Sequence, residues 1–205
     1  MDFQSVLQEF RRSYKGPKLA FIIMGGGYSA LDFRRYPGSS EFYHTELAPY
    51  REDLANFINK YGTRRIAADE VESFNAVNAE VTVELVAALA NYCDDPNLMY
   101  VVVNSALTTN TRWRRGSNRS FIATSTGLSF EFQLSKLDED SYNVLLNNAP
   151  DQLDLIRRGE DERVGQMVLS ILLGNPALAP NRNGESLIRL NGTNRTQILP
   201  SSFSN

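Results

Sequence analysis

Cysteine and histidine are nearly missing, since Cys93 and His44 are the only ones in 205 residues. A single cysteine excludes an intrachain disulfide and a cysteine-based zinc site, and a single histidine adds too little for a soft-metal centre. Neither a metal nor a cofactor is therefore expected, and a reducing, cytoplasmic setting is the natural one. Long apolar runs are missing as well: nothing approaches the ~18 residues of a membrane-span candidate. The first ten residues, MDFQSVLQEF, are amphipathic and not a basic stretch followed by an apolar one, so no signal peptide and no membrane association are expected. A basic excess is also lacking. Lys and Arg total 21 against 24 Asp and Glu, a net charge of −3, which argues against nucleic acid as a partner because counterion release needs an excess of cations. Neither the dinucleotide fingerprint G-x-G-x-x-G nor the phosphate-loop Gly-Lys-Ser/Thr occurs.

What is present is enough apolar material, 42% of residues, for one α/β domain with a full core. The chain is organised around Leu19 to Tyr50. Leu19 to Met24 is an unbroken apolar run of the kind that forms a strand buried on both faces. Gly25-Gly26-Gly27 follows, then a short helical pattern through Tyr28, Leu31 and Tyr36, then the hydroxyl-rich turn Pro37-Gly38-Ser39-Ser40. Amides without side chains can approach an anion or a carbonyl oxygen, and a helix start adds a positive dipole end. The glycine loop is thus either a ligand cradle or a tight strand-to-helix connection.

Phe3, Val6, Leu7, Phe10 and Tyr14 mark an amphipathic first helix, and Pro49 opens a second one with Leu54, Phe57, Ile58 and Tyr61 as its stripe. Asn78 is placed to cap a third helix through Val81, Leu85, Leu89 and Tyr92. Met99 to Val103 reads as a second buried strand with a small, hydroxyl-rich exit from Asn104 to Thr109. Arg112 to Arg119, RWRRGSNR, is either a phosphate-binding cluster or a solvated loop over Trp113. Two strands joined at Thr126-Gly127 then form a hairpin, and Gln152 to Leu173 makes a closing helix interrupted near Gly159. Residues 175–205 turn to Asn, Pro, Ser and Gly with isolated apolar positions. They read as an extended tail on a domain spanning 1–174, lying on that domain or on a neighbouring copy, which makes a homo-oligomer the expected state.

In this order, Gly25-Gly26-Gly27-Tyr28-Ser29-Ala30-Leu31, Pro37-Gly38-Ser39-Ser40, Ala48-Pro49-Tyr50 and Arg115-Gly116-Ser117-Asn118-Arg119 resemble the C-terminal domain of the CinA family, most closely its eukaryotic-type members. The resemblance covers roughly residues 17–173. It implies a three-layer α/β sandwich with a mixed, mostly parallel sheet, and nicotinamide mononucleotide amidohydrolase chemistry on a nucleotide ligand. Carried over by position, it implies Ser40 as nucleophile, Tyr50 as an orienting or donating group, and Gly25, Gly26, Gly27 and Ser39 holding substrate or oxyanion. Arg115 would meet the phosphate. Apart from the resemblance, two glycine or hydroxyl-rich turns beside buried strands predict a hollow between Gly25–Gly27, Ser39–Ser40 and Asn104–Ser105, beyond the carboxyl ends of the strands.

The resemblance also implies a lysine five residues past the tyrosine and a serine in the first strand's exit motif, where this chain has Ala55 and Ile23. Asn78 and Asn104 likewise stand where hydroxyl residues are implied. A serine is a poor nucleophile without a base. His44, four residues past Ser40 and on the same face if both are helical, is the available substitute, although no carboxylate to orient it can be identified. Two readings follow: a nucleotide amidohydrolase with altered machinery, or a nucleotide-binding or assembly protein that keeps the fold alone.

Overall fold

A computed structural model of the chain describes residues 1–49, 52–71, 74–111, 116–191 and 194–199. Seven strands form one sheet: β1 (Lys18–Met24), β2 (Tyr43–Leu47), β3 (Leu98–Ala106), β4 (Arg119–Thr124), β5 (Ser129–Gln133), β6 (Ser186–Asn191) and β7 (Asn194–Leu199). Their order across the sheet is β2-β1-β3-β4-β5-β6-β7. β1 runs parallel to β2 and β3, while every pairing from β3 to β7 is antiparallel. The sheet is therefore mixed, as the sequence suggests, but mostly antiparallel and not mostly parallel. The hairpin β4–β5 and the two added strands β6 and β7 make the difference.

The described residues include five α-helices, α1 (Phe3–Ser13), α2 (Glu52–Tyr61), α3 (Ala79–Cys93), α4 (Glu139–Asn148) and α5 (Pro150–Leu172), of which α4 packs on α5. Alternation along β1 assigns its side chains to two cores. Leu19, Phe21 and Ile23 point to α1 and α5, while Ala20, Ile22 and Met24 point to α2 and α3. α1 starts where the Asp2 carboxylate accepts from Ser5 N at 2.7 Å and lays Val6, Leu7 and Phe10 into the first core. α3 starts where Asn78 Oδ1 accepts from Val81 N at 2.9 Å, the cap expected from the sequence. α5 runs unbroken through Gly159, so the interruption in its apolar stripe is a change of face and not a break.

Two further expectations change. The segment after the glycine loop is a 3₁₀ helix, Tyr28–Arg35, that buries Ala30, Leu31 and Phe33 and leaves Tyr28 and Tyr36 at the surface. The C-terminal segment is part of the sheet up to Leu199, with Leu187 fully buried in the first core. Arg163 on α5 ties it down: its guanidinium pairs with Glu185 at 2.7 Å and donates to the carbonyls of Ala179 and Pro180. The second core ends at Ala123 on β4, so on that face β6 and β7 lie beyond the α2–α3 layer.

Candidate functional site

β1 delivers Gly25, Gly26 and Gly27 to the carboxyl end of the sheet. Gly25 takes φ +72° and Gly27 φ +95°, and a Cβ on Gly25 would lie 1.9 Å from the Ser105 carbonyl oxygen, so only glycine fits there. The loop bares its amides as the sequence suggests, but a side chain of the protein already fills it. Asp161, on α5, accepts from Gly27 N at 2.6 Å, Tyr28 N at 3.0 Å, Ser29 N at 2.9 Å and Ser29 Oγ at 2.5 Å. One helical turn earlier, Arg157 donates to the carbonyls of Gly25 and Thr108 at 2.7 and 2.8 Å. The cradle is an anion site whose anion is internal. Nothing local in the sequence announces this, because Gly27 and Asp161 are 134 positions apart.

Asn104 and Ser105 reach the same end of the sheet on β3, opposite Met24. Ser105 Oγ meets Gly26 O at 3.2 Å and Ser120 Oγ at 2.5 Å, which makes it part of the loop's seat. Asn104, fully buried on the α3 face, donates from Nδ2 to Ala76 O at 2.6 Å and Thr82 Oγ1 at 3.1 Å, while its Oδ1 has no donor among the described residues.

Ser39 and Ser40 do not join them. The 3₁₀ helix after the glycine loop carries the chain back across the sheet, and Leu19 N, at the amino end of β1, bonds Phe42 O at 3.0 Å. Ser39 and Ser40 therefore sit at the amino end, about 20 Å along β1 from the glycine loop at ~3.3 Å per residue. The hollow expected between Gly25–Gly27, Ser39–Ser40 and Asn104–Ser105 does not form. His44 and Ser40 do not share a helix face either, because Tyr43–Leu47 is a strand and Ser40 lies in a 3₁₀ turn before it. Both are exposed, and the His44 side chain has no hydrogen bond among the described residues. Ala55, where the resemblance implies a lysine, is buried in the second core, and Ile23 is buried in the first. Tyr50 and Arg115 lie outside the described residues.

A different hollow opens at the carboxyl end of β3, on the α3 face. It measures about 440 Å³ and is lined by Asn75 and Val77 in the segment before the Asn78 cap, Ala106 on β3, Gly116, Ser117 and Arg119 leading into β4, and Lys136 after β5. Ala106 and Arg119 are register partners across β3 and β4, so they form its floor. Arg119 pairs with Glu131 at 3.0 Å, and the same carboxylate also pairs with Arg195. Lys136 is exposed and makes no ion pair among the described residues. The lining thus carries two cations, Arg119 and Lys136, and no carboxylate, which leaves the hollow electropositive. Asn104 lies behind the wall through its bond to Ala76, between the lining residues Asn75 and Val77. The sequence signal for this hollow was the Arg-Gly-x-x-Arg segment together with the Asn78 cap. Read separately, neither pointed to a common site.

A second hollow of about 360 Å³, between Val83, Val86, Ala87 and Ala90 on α3 and the β4–β5 turn with Thr124, Ser125 and Ser129, is mostly apolar. Among the described residues no cluster of His, Cys, Asp and Glu could hold a metal, and no helix is long and apolar enough to cross a membrane.

The molecule is thus an α/β domain with a mixed sheet between two helical layers, and solved structures share that fold. A competence or damage-inducible protein from Enterobacter asburiae superposes with a TM-score of 0.56 at 12% identity, covering 87% of this chain and 99% of that one. A competence-damaged protein (CinA) superfamily protein from Klebsiella pneumoniae gives 0.50 at 8% identity, covering 80% and 98%. No protein-family model matches the sequence, and no curated protein matches it. At such identities the likeness establishes the fold, and function must be argued from the site.

Proposed function

We propose that this CinA-like domain binds a nucleotide, of the pyridine mononucleotide class that the sequence resemblance implies, and does not hydrolyse it. The observation that carries the reading is the electropositive hollow at the carboxyl end of β3. Its volume, about 440 Å³, lies within the ~300–1,000 Å³ of small-molecule sites, and its position beyond the strand ends is where open α/β sheets take ligands. Lys136, Arg119 and Ser117 Oγ suit a phosphate, while Asn75 suits a polar base or amide.

Support for the absence of hydrolysis is local chemistry. Ser40 is exposed at the far end of β1, His44 beside it has no orienting carboxylate among its described bonds, and the position of the implied lysine is the buried Ala55.

The test is a calorimetric series with nicotinamide mononucleotide, nicotinate mononucleotide, NAD and AMP, alongside ammonia release from nicotinamide mononucleotide. Saturable binding of a mononucleotide, weakened in Lys136→Ala, with ammonia release at background, is the expected result. Turnover abolished by Ser40→Ala would restore the hydrolase, and no binding by any of the four would remove the nucleotide.

A second reading, self-assembly, is favoured by the sheet face of β6 and β7 that the α2–α3 layer leaves uncovered. Sedimentation of the full chain decides it, since a monomer at every concentration ends that reading.

A further inference from the structure

Behind the loop that lines the hollow stands a buried carboxylate that the binding reading does not use. Glu160, on α5 and 8% exposed, accepts from Thr108 N at 2.7 Å, Thr108 Oγ1 at 2.6 Å and Asn118 Nδ2 at 2.5 Å. Asn118 Nδ2 also reaches Ser135 O at 3.1 Å. One side chain therefore gathers the exit of β3, the loop into β4 and the segment after β5. These three segments supply Ala106, Gly116, Ser117, Arg119 and Lys136 to the hollow on the other side. The loop has little freedom of its own. Asn118 is held at φ +52° and Gly116 at φ +82°, where a Cβ on Gly116 would lie 2.0 Å from Leu107 O. Asparagine tolerates the left-handed region because its short side chain can bond nearby groups, and here Glu160 holds that side chain.

We propose that Glu160 is a positioning residue for the hollow: its ionised carboxylate locks Asn118, and through it Gly116 to Arg119, in the geometry that binds ligand, and its protonation releases that lock. The inference rests on the hollow being the ligand site, and it adds pH sensitivity to it. The bonding pattern favours the ionised form, because three donors converge on two oxygens and a protonated carboxyl would add a fourth hydrogen to the same cluster. Burial pushes the Glu160 carboxyl above its ordinary value of 4.5, against the opposing pull of the Thr108 hydroxyl and amide, Arg157 and Asn118.

Of the charged groups among the described residues that act on it, Arg157 lies one turn earlier on the same helix. The β3 exit presents Thr108 and the loop into β4 presents Asn118, both uncharged. The direction follows: as pH falls toward the ordinary carboxylate range Glu160 takes up a proton, the fold itself gains stability relative to neutral pH, and the loop loses its lock.

Nicotinamide mononucleotide is titrated into wild type and Glu160→Gln from neutral pH downward, the phosphate's own ionisation being common to both. Wild type should bind about tenfold more tightly at neutral pH, the equivalent of one lost buried hydrogen bond, and the ratio should approach one as the pH nears 4.5. Equal affinity at neutral pH, or a ratio that does not change with pH, overturns the inference. Amide hydrogen exchange at Gly116 to Arg119, corrected for intrinsic rates, gives a readout without ligand. Protection that falls with pH in wild type, and is low throughout in Glu160→Gln, supports the lock, and protection that is the same in both proteins ends it. A wild type that shows this exchange behaviour but binds no nucleotide refutes the choice of ligand and leaves the lock standing.

Discussion

Asp161 fills with one carboxylate a cradle of four donors, three of them backbone amides that cannot be mutated away. Removing it leaves those donors to water, which reaches them because Asp161 is only half-buried. Asp161→Ala should therefore cost roughly 2 kcal/mol in urea unfolding, where full burial of unpaired donors would cost more. Asp161→Asn, which keeps one acceptor, should lose about half of that. If both variants match wild type, the glycine loop is held by its packing on Ser105 and not by its internal anion. The residue also shows where sequence reading stops. Three consecutive glycines announce bare amides, but the acceptor comes from another element and carries no local mark.

At the scale of elements, α5 offers a controlled comparison because it contains two glycines with opposite surroundings. A Cβ at Gly165 would lie 2.6 Å from the backbone nitrogen of Ala30, so the close approach of α5 to the 3₁₀ helix depends on that missing methyl. At Gly159 nothing lies within 4 Å. Gly165→Ala should destabilise by about 1–3 kcal/mol through forced displacement, whereas Gly159→Ala should stabilise by up to ~1 kcal/mol through helix propensity. Thermal melts of both variants check the pair, and a neutral Gly165→Ala would mean that the helix shifts freely.

Elements with a strong local pattern were legible in the sequence: the apolar runs of β1 and β3, the alternation in β5, and the Asn78 cap of α3. β2 was not, because YHTEL is a half-buried edge strand without an apolar run. Its invisibility misplaced the site, since a helix through His44 would have kept Ser40 near the glycine loop.

Across the whole molecule, the α/β class followed from composition and element order and the layered cover from the family resemblance, while the sheet's character followed from neither. β6, SLIRLN, carries isolated apolar residues among polar ones, and only pairing with β5 shows that Leu187 enters the core. A strand is recognised there by its partner, and the partner is some fifty positions away.

That spacing has a kinetic consequence. β3, β4 and β5 form a meander closed by short or modest loops, whereas β6 pairs with β5 only after α4 and α5 have been placed, and β1 meets β3 across more than seventy residues. Closing long loops before their contacts form is entropically costly, so the meander is the expected nucleus and β6–β7 the late addition. Ile122→Val in β4 should then slow refolding with little change in the unfolding rate, while Leu187→Ala in β6 should mainly speed unfolding. Stopped-flow refolding reads both, and a slowed refolding arm in Leu187→Ala would reverse the order. If the order holds, the central sheet assembles first, and β6 and β7 act as a latch that closes over an edge already formed.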